Sequence, residues 1–434
     1  MLRACLLLAS SGLVLSACAS YAPQPLAPPQ LAAVTPLPAG AAATDLLALA
    51  LQRSPDVAAA RARLASALAA RKASKAYPAI TLTLMSEYSK DADPQRPWLW
   101  GAAADLPLDY GARRGARVTA ADVDVMKARA DLAEAVWRAR QSLRSAQVRL
   151  TAARAVAVAA RNLLDQRLAL EAALQQRVAA GEEARDGVDT ARLASLQAQQ
   201  TLTQAQGDEQ AALVELARAL DTDASSVADL PAAASPQAGD GDDAMLYARP
   251  DILNAVADYD LSESQLRLAV AEQYPGVTVS PGYTWERGAV KLPLNLTLAL
   301  PPLDGNRAHI DAAQAARLAA GKALEATVKS DLAAVAQARA QWRSAAALSQ
   351  QIETHDAPLA AQMAARAAAA QRQGESDHIS LMQAQIAAQE THLALVQAQG
   401  AADQARLALE DARHIPFDPA EARDLSAALT DTTQ

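Results

Sequence analysis

Two cysteines, one phenylalanine and an aromatic fraction of 3% are what this chain has least of. Cys5 lies in an N-terminal stretch read below as a removable signal, so the mature chain keeps one cysteine and closes no internal disulfide. Its stability must come from packing. An excess of positive charge is missing too. Lys and Arg number 40 against 48 Asp and Glu, a net charge of −8, which leaves no basic footprint for nucleic acid. Beyond the N-terminus no apolar run is long enough for a transmembrane helix. The chain has no His-Glu-x-x-His, phosphate loop, Gly-x-Ser-x-Gly or cysteine cluster, so neither a catalytic constellation nor a cofactor is expected. The histidines His309, His355, His378, His392 and His414 lack metal-ligand spacing, and no metal site is expected.

What is present is a duplication. Arg53-Ser54-Pro55-Asp56 returns as Ala248-Arg249-Pro250-Asp251, and Tyr77-Pro78 as Tyr274-Pro275. Pro107-Leu108-Asp109 with Gly111 and Arg113 returns as Pro302-Leu303-Asp304 with Gly305 and Arg307. Gly181-Glu182 returns as Gly374-Glu375. All four spacings are about 195 residues, the mark of a tandem repeat. The chain divides into a first repeat over 45–220, a linker over 221–245, a second repeat over 246–414 and a C-terminal tail over 415–434.

The N-terminus reads as a secretory signal over 1–17, with Met1-Leu2-Arg3 as its positive region and Ala4–Leu15 as its apolar region. It ends in Leu15-Ser16-Ala17-Cys18, which resembles the lipobox of bacterial lipoproteins and makes Cys18 the candidate lipidation site. A plain signal cut near Ala17 is the other reading. In that family an aspartate after the cysteine would suggest inner-membrane retention, and Ala19 stands there. Residues 18–44, rich in Pro, Ala and Gln from Tyr21 to Pro38, read as an extended tether.

Each half reads helix, strand, strand, very long helix, helix. Asp45–Ala73 is helical by composition, with Thr44 as N-cap. The period then changes to two. Ile80, Leu82 and Leu84 alternate with Thr81, Thr83 and Met85; Trp98, Trp100, Ala102, Ala104 and Leu106 alternate with smaller and polar residues. In the second half Val277, Val279, Tyr283 and Trp285 oppose Thr278, Ser280 and Thr284, and Val290–Leu300 alternates likewise. Such segments are the weak signature of membrane β-barrel strands; a small soluble hairpin on helices is the alternative. Pro281 and Pro293 fall inside these strands, where each removes a ladder donor.

The long helices run from about Ala112 to Val178 and from about Arg307 to Arg372. Val118, Val125, Leu132, Ala139, Ala146, Ala153 and Ala160 recur at seven beside a stripe of Val136, Leu143, Leu150, Ala157 and Leu164. Val328, Val335 and Trp342 repeat this in the second half, where Pro358 either kinks the helix or serves as a hinge. Both tracts turn at glycine followed by acids, at Gly181-Glu182-Glu183 and Gly374-Glu375-Ser376-Asp377. These acids either cap helix N-termini or form rings of carboxylates at a mouth.

Taken in order, the Tyr-Pro, Pro-Leu-Asp, Arg-Pro-Asp and Gly-Glu landmarks resemble the TolC family of outer-membrane efflux proteins, in its lipoprotein branch (the RND-type outer-membrane factors). Coverage is from about Asp45 to His414. The resemblance implies a mainly α protomer of long coiled-coil helices plus four β-strands, trimerising into a shared 12-stranded β-barrel and a periplasmic α-helical barrel. It also implies an outer-membrane, lipid-anchored, non-enzymatic channel that passively passes substrates from an inner-membrane pump and a periplasmic adaptor to the exterior. The tips Val178, Gly181, Ala184, Gly374, Ser376 and Ile379 would then dock the adaptor, and Glu182, Glu183, Glu375 and Asp377 are the gate or selectivity candidates. Two other readings use less of the chain. A periplasmic adaptor needs one hairpin, not two equivalent halves, and a structural coiled-coil lipoprotein leaves the alternating strands unexplained.

Overall fold

A serine–proline pair splits the first expected helix in two. In the computed structural model, which describes residues 23, 37, 46–90, 97–108, 112–228, 230, 249–286 and 288–430, α1 covers Leu46–Arg53 and α2 covers Pro55–Ser74. Ser54 leaves helical geometry, accepts a hydrogen bond from the Val57 amide at 3.4 Å, and is followed by Pro55, which needs no amide partner at a first helical position. Cys18, Thr44, Asp109, Gly111 and most of the linker lie outside the described residues.

Strands β1 (Thr81–Tyr88) and β2 (Trp98–Pro107) follow, then α3 (Ala112–Ala179), which runs unbroken for 68 residues, roughly 100 Å at the usual rise. After a tight turn α4 (Arg185–Ala219) returns along it, ending in the short α5 (Ala224–Val227). The second repeat gives α6 (Pro250–Ala271), β3 (Gly276–Glu286), β4 (Ala289–Lys291), β5 (Leu294–Ala299), α7 (Arg307–Gln351), α8 (Ala357–Arg372) and α9 (His378–Arg413). Between α7 and α8 the expected disturbance at Pro358 takes the form of one π-helical turn, Ile352–Asp356, in which the Ala357 amide reaches back to the Ile352 carbonyl. Pro358 has no amide to offer, and the wider turn upstream absorbs that loss without ending the helix. The stretch read as a tail contains a further helix, α10 (Pro419–Thr430).

α3 is the spine. Its heptad stripe is buried at Val125, Leu132, Val136, Leu143, Ala146 and Leu150 against Leu51, Val57, Leu64, Leu213 and Leu216 of α1, α2 and α4. Further along, Ala157, Ala160 and Leu164 meet Ala198 and Leu202 of α4 and Ile386 and Leu393 of α9, so α3 binds both repeats. Each repeat also ties its first helix to its last by an arginine next to the Pro-Asp landmark. Arg53 donates to the Leu220 carbonyl at 3.5 Å, and Arg249 donates to the Ala412 carbonyl. In both, a cation meets the negative end of the returning helix.

The strands form one antiparallel sheet, β1-β2-β3, with β4 and β5 both on the far side of β3. Thr284 pairs with Lys291 and Val279 with Leu296, so β4 and β5 keep a single register and are one strand interrupted at Pro293. The interruption is tolerated because Gly282 stands opposite. A Cβ there would come within 3.1 Å of the Pro293 ring, yet the Gly282 amide still donates to the Pro293 carbonyl at 2.7 Å. The register pairs Leu84 with Ala102, Ala102 with Tyr283, Trp100 with Trp285, and Val279 with both Leu106 and Leu296. Directly opposed residues share a face, so one side of the sheet is apolar but for Ser86, opposite Trp100, while Thr83, Thr278, Ser280, Thr284 and Thr297 lie on the other. On the apolar side Leu84 is 73% and Leu294 71% exposed.

Candidate functional site: the paired helical tips

Both helical hairpins turn in the same way. Gly181 and Gly374 take φ of +76° and +77°, the left-handed region that glycine enters without steric cost. The Glu182 amide then donates to the Arg177 carbonyl at 2.9 Å, and the Glu375 amide to the Ala370 carbonyl at 2.9 Å, closing the last turn of α3 and of α8. Three residues beyond each glycine stands the N-cap of the next helix, Ala184 in the first tip and Asp377 in the second. Ala184 offers no side-chain cap. Asp377 accepts from the Ser380 amide at 2.9 Å and from its hydroxyl at 2.6 Å.

Arg177, which the sequence did not single out, joins the two tips. Its guanidinium donates to Asp377 of the other repeat at 2.8 Å and lies 3.6 Å from Glu183 and 3.8 Å from Glu182. The bonds from Ser380, and then Arg177, hold the Asp377 carboxyl below the usual carboxylate range. Three of the four acidic candidates thus converge on one cation, while Glu375 is exposed on the second turn. The one local signal Arg177 carries is its place one turn before a glycine–acid pair, a position that reaches over the helix end.

The docking candidates divide between surface and support. Gly181, Ala184 and Gly374 are exposed at the extreme end, Val178 and Ser376 are half-buried, and Ile379 packs with Val188 and Met382 against the core where α3, α4 and α9 meet. At the far end of the molecule the sheet carries aromatic residues at two levels. Tyr88 meets Trp98 edge to face at 5.0 Å and Trp98 stacks on Trp100 at 5.6 Å near the β1–β2 loop, and Tyr77 and Tyr274 stand exposed where the strands meet the helices. Among the described residues no helix is long and apolar enough to cross a membrane.

A duplicated protomer with an open, one-sidedly apolar sheet at one end and two glycine-turned helical hairpins at the other has the design of an outer-membrane channel subunit. The family model of outer membrane efflux proteins matches residues 46–222 and 243–412, and the chain belongs to that family. Its place is the outer membrane, as the resemblance implied. Among solved structures the fold is similar to VceC of Vibrio cholerae, at 22% identity and a TM-score of 0.71 over 86% of this chain and 96% of that one. It is also similar to the outer-membrane channel OprN, at 21% and 0.72 over 87% and 90%. The open state of the MtrE channel of Neisseria gonorrhoeae matches at 17% and 0.71 over 86% and 89%. A search of curated protein sequences found no match.

Proposed function

We propose that the protein is the outer-membrane channel of a tripartite efflux assembly. It conducts substrates passively from a periplasmic adaptor and an inner-membrane pump to the exterior. The observation that carries this reading is the sheet: four strand positions, one apolar face, and two edges, β1 and the β4/β5 strand, with no neighbour among the described residues. An open edge in lipid leaves backbone groups unsatisfied at several kcal/mol each. Three protomers side by side close a 12-stranded barrel and remove every edge. Electron-microscopic imaging of detergent-purified particles, with conductance in planar bilayers, tests it. A threefold tube that conducts supports the reading; monomers, or solid rods without conductance, overturn it.

At the periplasmic end Val178, Gly181, Ala184, Gly374, Ser376 and Ile379 form the adaptor-docking surface. Ala184→Trp is expected to abolish co-purification with the adaptor while conductance persists, and intact co-purification would remove the assignment. Glu182, Glu183, Glu375 and Asp377 ring the mouth, and Arg177 holds three of them. Arg177→Ala frees the carboxylates and is expected to raise conductance and its preference for cations, whereas an unchanged current would assign the acids to helix capping alone. Cys18 carries the lipid anchor. Metabolic labelling with palmitate is expected to mark the wild type and not Cys18→Ala.

A further inference from the structure

We propose that the junction of sheet and helices in the first repeat binds the phosphate of an anionic phospholipid in the inner leaflet of the outer membrane. This rests on the reading that the apolar sheet face meets lipid. The last turn of α2 and the first turn of α3 meet just below β1 and β2, and between them they hold Arg71, Lys72, Lys75, Arg113, Arg114 and Arg117. Neither turn contains a carboxylate, and Asp109 is the one acid in the chain between Pro107 and Ala121. Arg71 is occupied by Asp122 on α3. The other five cations form a collar at the depth marked by Tyr77, which is 76% exposed and lies beneath the Arg114 guanidinium at 4.6 Å.

Part of this collar has a structural task. Arg117 donates to the Ser74 carbonyl at 3.1 Å and Arg114 to the Lys75 carbonyl at 3.3 Å, covering the exposed end of α2, while Arg113 donates to the Tyr274 carbonyl at 2.9 Å. The second repeat shows how much charge that task needs. There the buried side-chain amide of Asn306 donates to the Ala269 carbonyl at 2.9 Å, and a neutral group covers the end of α6. At the positions that match the first-repeat cations, Arg267, Glu272, Arg307 and Asp311 are mixed in sign, and Asp304 matches Asp109. One fold thus builds the same junction twice, once strongly basic and once nearly balanced, so the fold itself does not require the positive charge.

What the basic version adds is a match to a membrane surface. Lys72 and Lys75 are exposed at the end of α2, and the Arg113 and Arg114 guanidiniums, with five donors each, keep some for a phosphate beside the carbonyls they cover. Tyrosine at the headgroup level with basic side chains beside it is how an interface holds an anionic lipid.

The test uses delipidated full-length trimers, shown by imaging to be trimeric, so that failure to assemble and failure to bind lipid read differently. Phosphatidylglycerol and phosphatidylcholine are titrated separately and bound lipid is counted by native mass spectrometry. Phosphatidylglycerol is expected to be retained preferentially, and Lys72→Gln with Lys75→Gln is expected to weaken it by about tenfold or more. Arg267→Gln with Arg307→Gln in the second repeat is expected to leave it unchanged. Equal retention of the two lipids, no effect of the lysine pair, or an equal loss from the second-repeat pair each overturns the proposal. Displacement by millimolar glycerol phosphate would mean that the site takes a soluble phosphate, and would overturn the lipid assignment.

Discussion

Arg140 on α3 lies between two carboxylates that come from far along the chain. It is 2% exposed and bonds Glu410 of α9 at 2.7 Å and Glu421 of α10 at 2.6 Å, and Arg144 also reaches Glu421. Glu410 in turn accepts from the Phe417 amide at 2.6 Å, fixing the segment between α9 and α10. Removing the cation would strip buried Glu410 of this ion pair and leave Glu421 to Arg144 alone, so Arg140→Ala is expected to cost about 3–5 kcal/mol. Arg140→Met combined with Glu410→Gln and Glu421→Leu should recover much of that. Urea unfolding followed by circular dichroism measures both, and a neutral single substitution would show the cluster to be solvated. Nearby, His414 donates from Nδ1 to the Asp411 carbonyl at 2.8 Å, shares a hydrogen bond through Nε2 with Glu134 at 3.0 Å, and stacks on Trp137. The His414 bond, ahead of the opposing effect of burial, holds the Glu134 carboxyl below its ordinary value of 4.5. A lowered native pKa stabilises the fold above the ordinary value, and the contribution is lost as pH falls through the lowered one. The melting-temperature advantage of the wild type over Glu134→Gln is therefore expected to be full at neutral pH and to shrink below pH 4.5. A constant difference across that range would break the assignment.

At the scale of elements, the two repeats differ where α3 is continuous and its counterpart carries the π turn before Pro358. If that turn only accommodates the missing amide, Pro358→Ala leaves conductance unchanged; if it is a hinge for opening the mouth, the substitution lowers the open fraction. The π turn persists in our expectation because it contains one extra residue, which a side-chain change cannot remove, so single-channel recording should show unaltered opening. The long helices, the glycine tips and the strand alternation were legible in the sequence because each is a local periodic signal. The N-cap at Ser54 carries a local signal too, but Asp45–Ala73 reads in the sequence as one helix capped by Thr44, and Ser-Pro-Asp there only as a repeat landmark. α10 was not legible, since its anchor is Arg140, 281 residues away, and no local spacing announces such a contact. Arg177 was missed for a related reason. Its partner Asp377 lies 200 residues on, and only the fold brings the two tips together.

For the whole molecule the question is which face of the sheet meets lipid, because that decides what the enclosed space is. The register places Leu296 opposite Val279 and Thr297 opposite Thr278, so neighbours in β5 point to opposite sides of the wall. With the apolar side outward, the interior is lined by Thr83, Thr278, Ser280, Thr284 and Thr297, and by the Glu286–Lys291 ion pair, a wettable surface suited to conduction. With the faces reversed, a greasy core would seal the tube and threonines would face hydrocarbon. An arginine on the lipid side near the midplane costs roughly 2–4 kcal/mol per site, while one in a lumen stays hydrated. Threefold repetition multiplies that cost, so Leu296→Arg is expected to reduce the trimer recovered from outer membranes severely, and Thr297→Arg to leave recovery near normal while altering ion preference. Gel mobility of unheated against heated samples reads assembly, and bilayer recording reads selectivity. Normal assembly of Leu296→Arg together with loss at Thr297→Arg would turn the sheet inside out and leave no aqueous path through it.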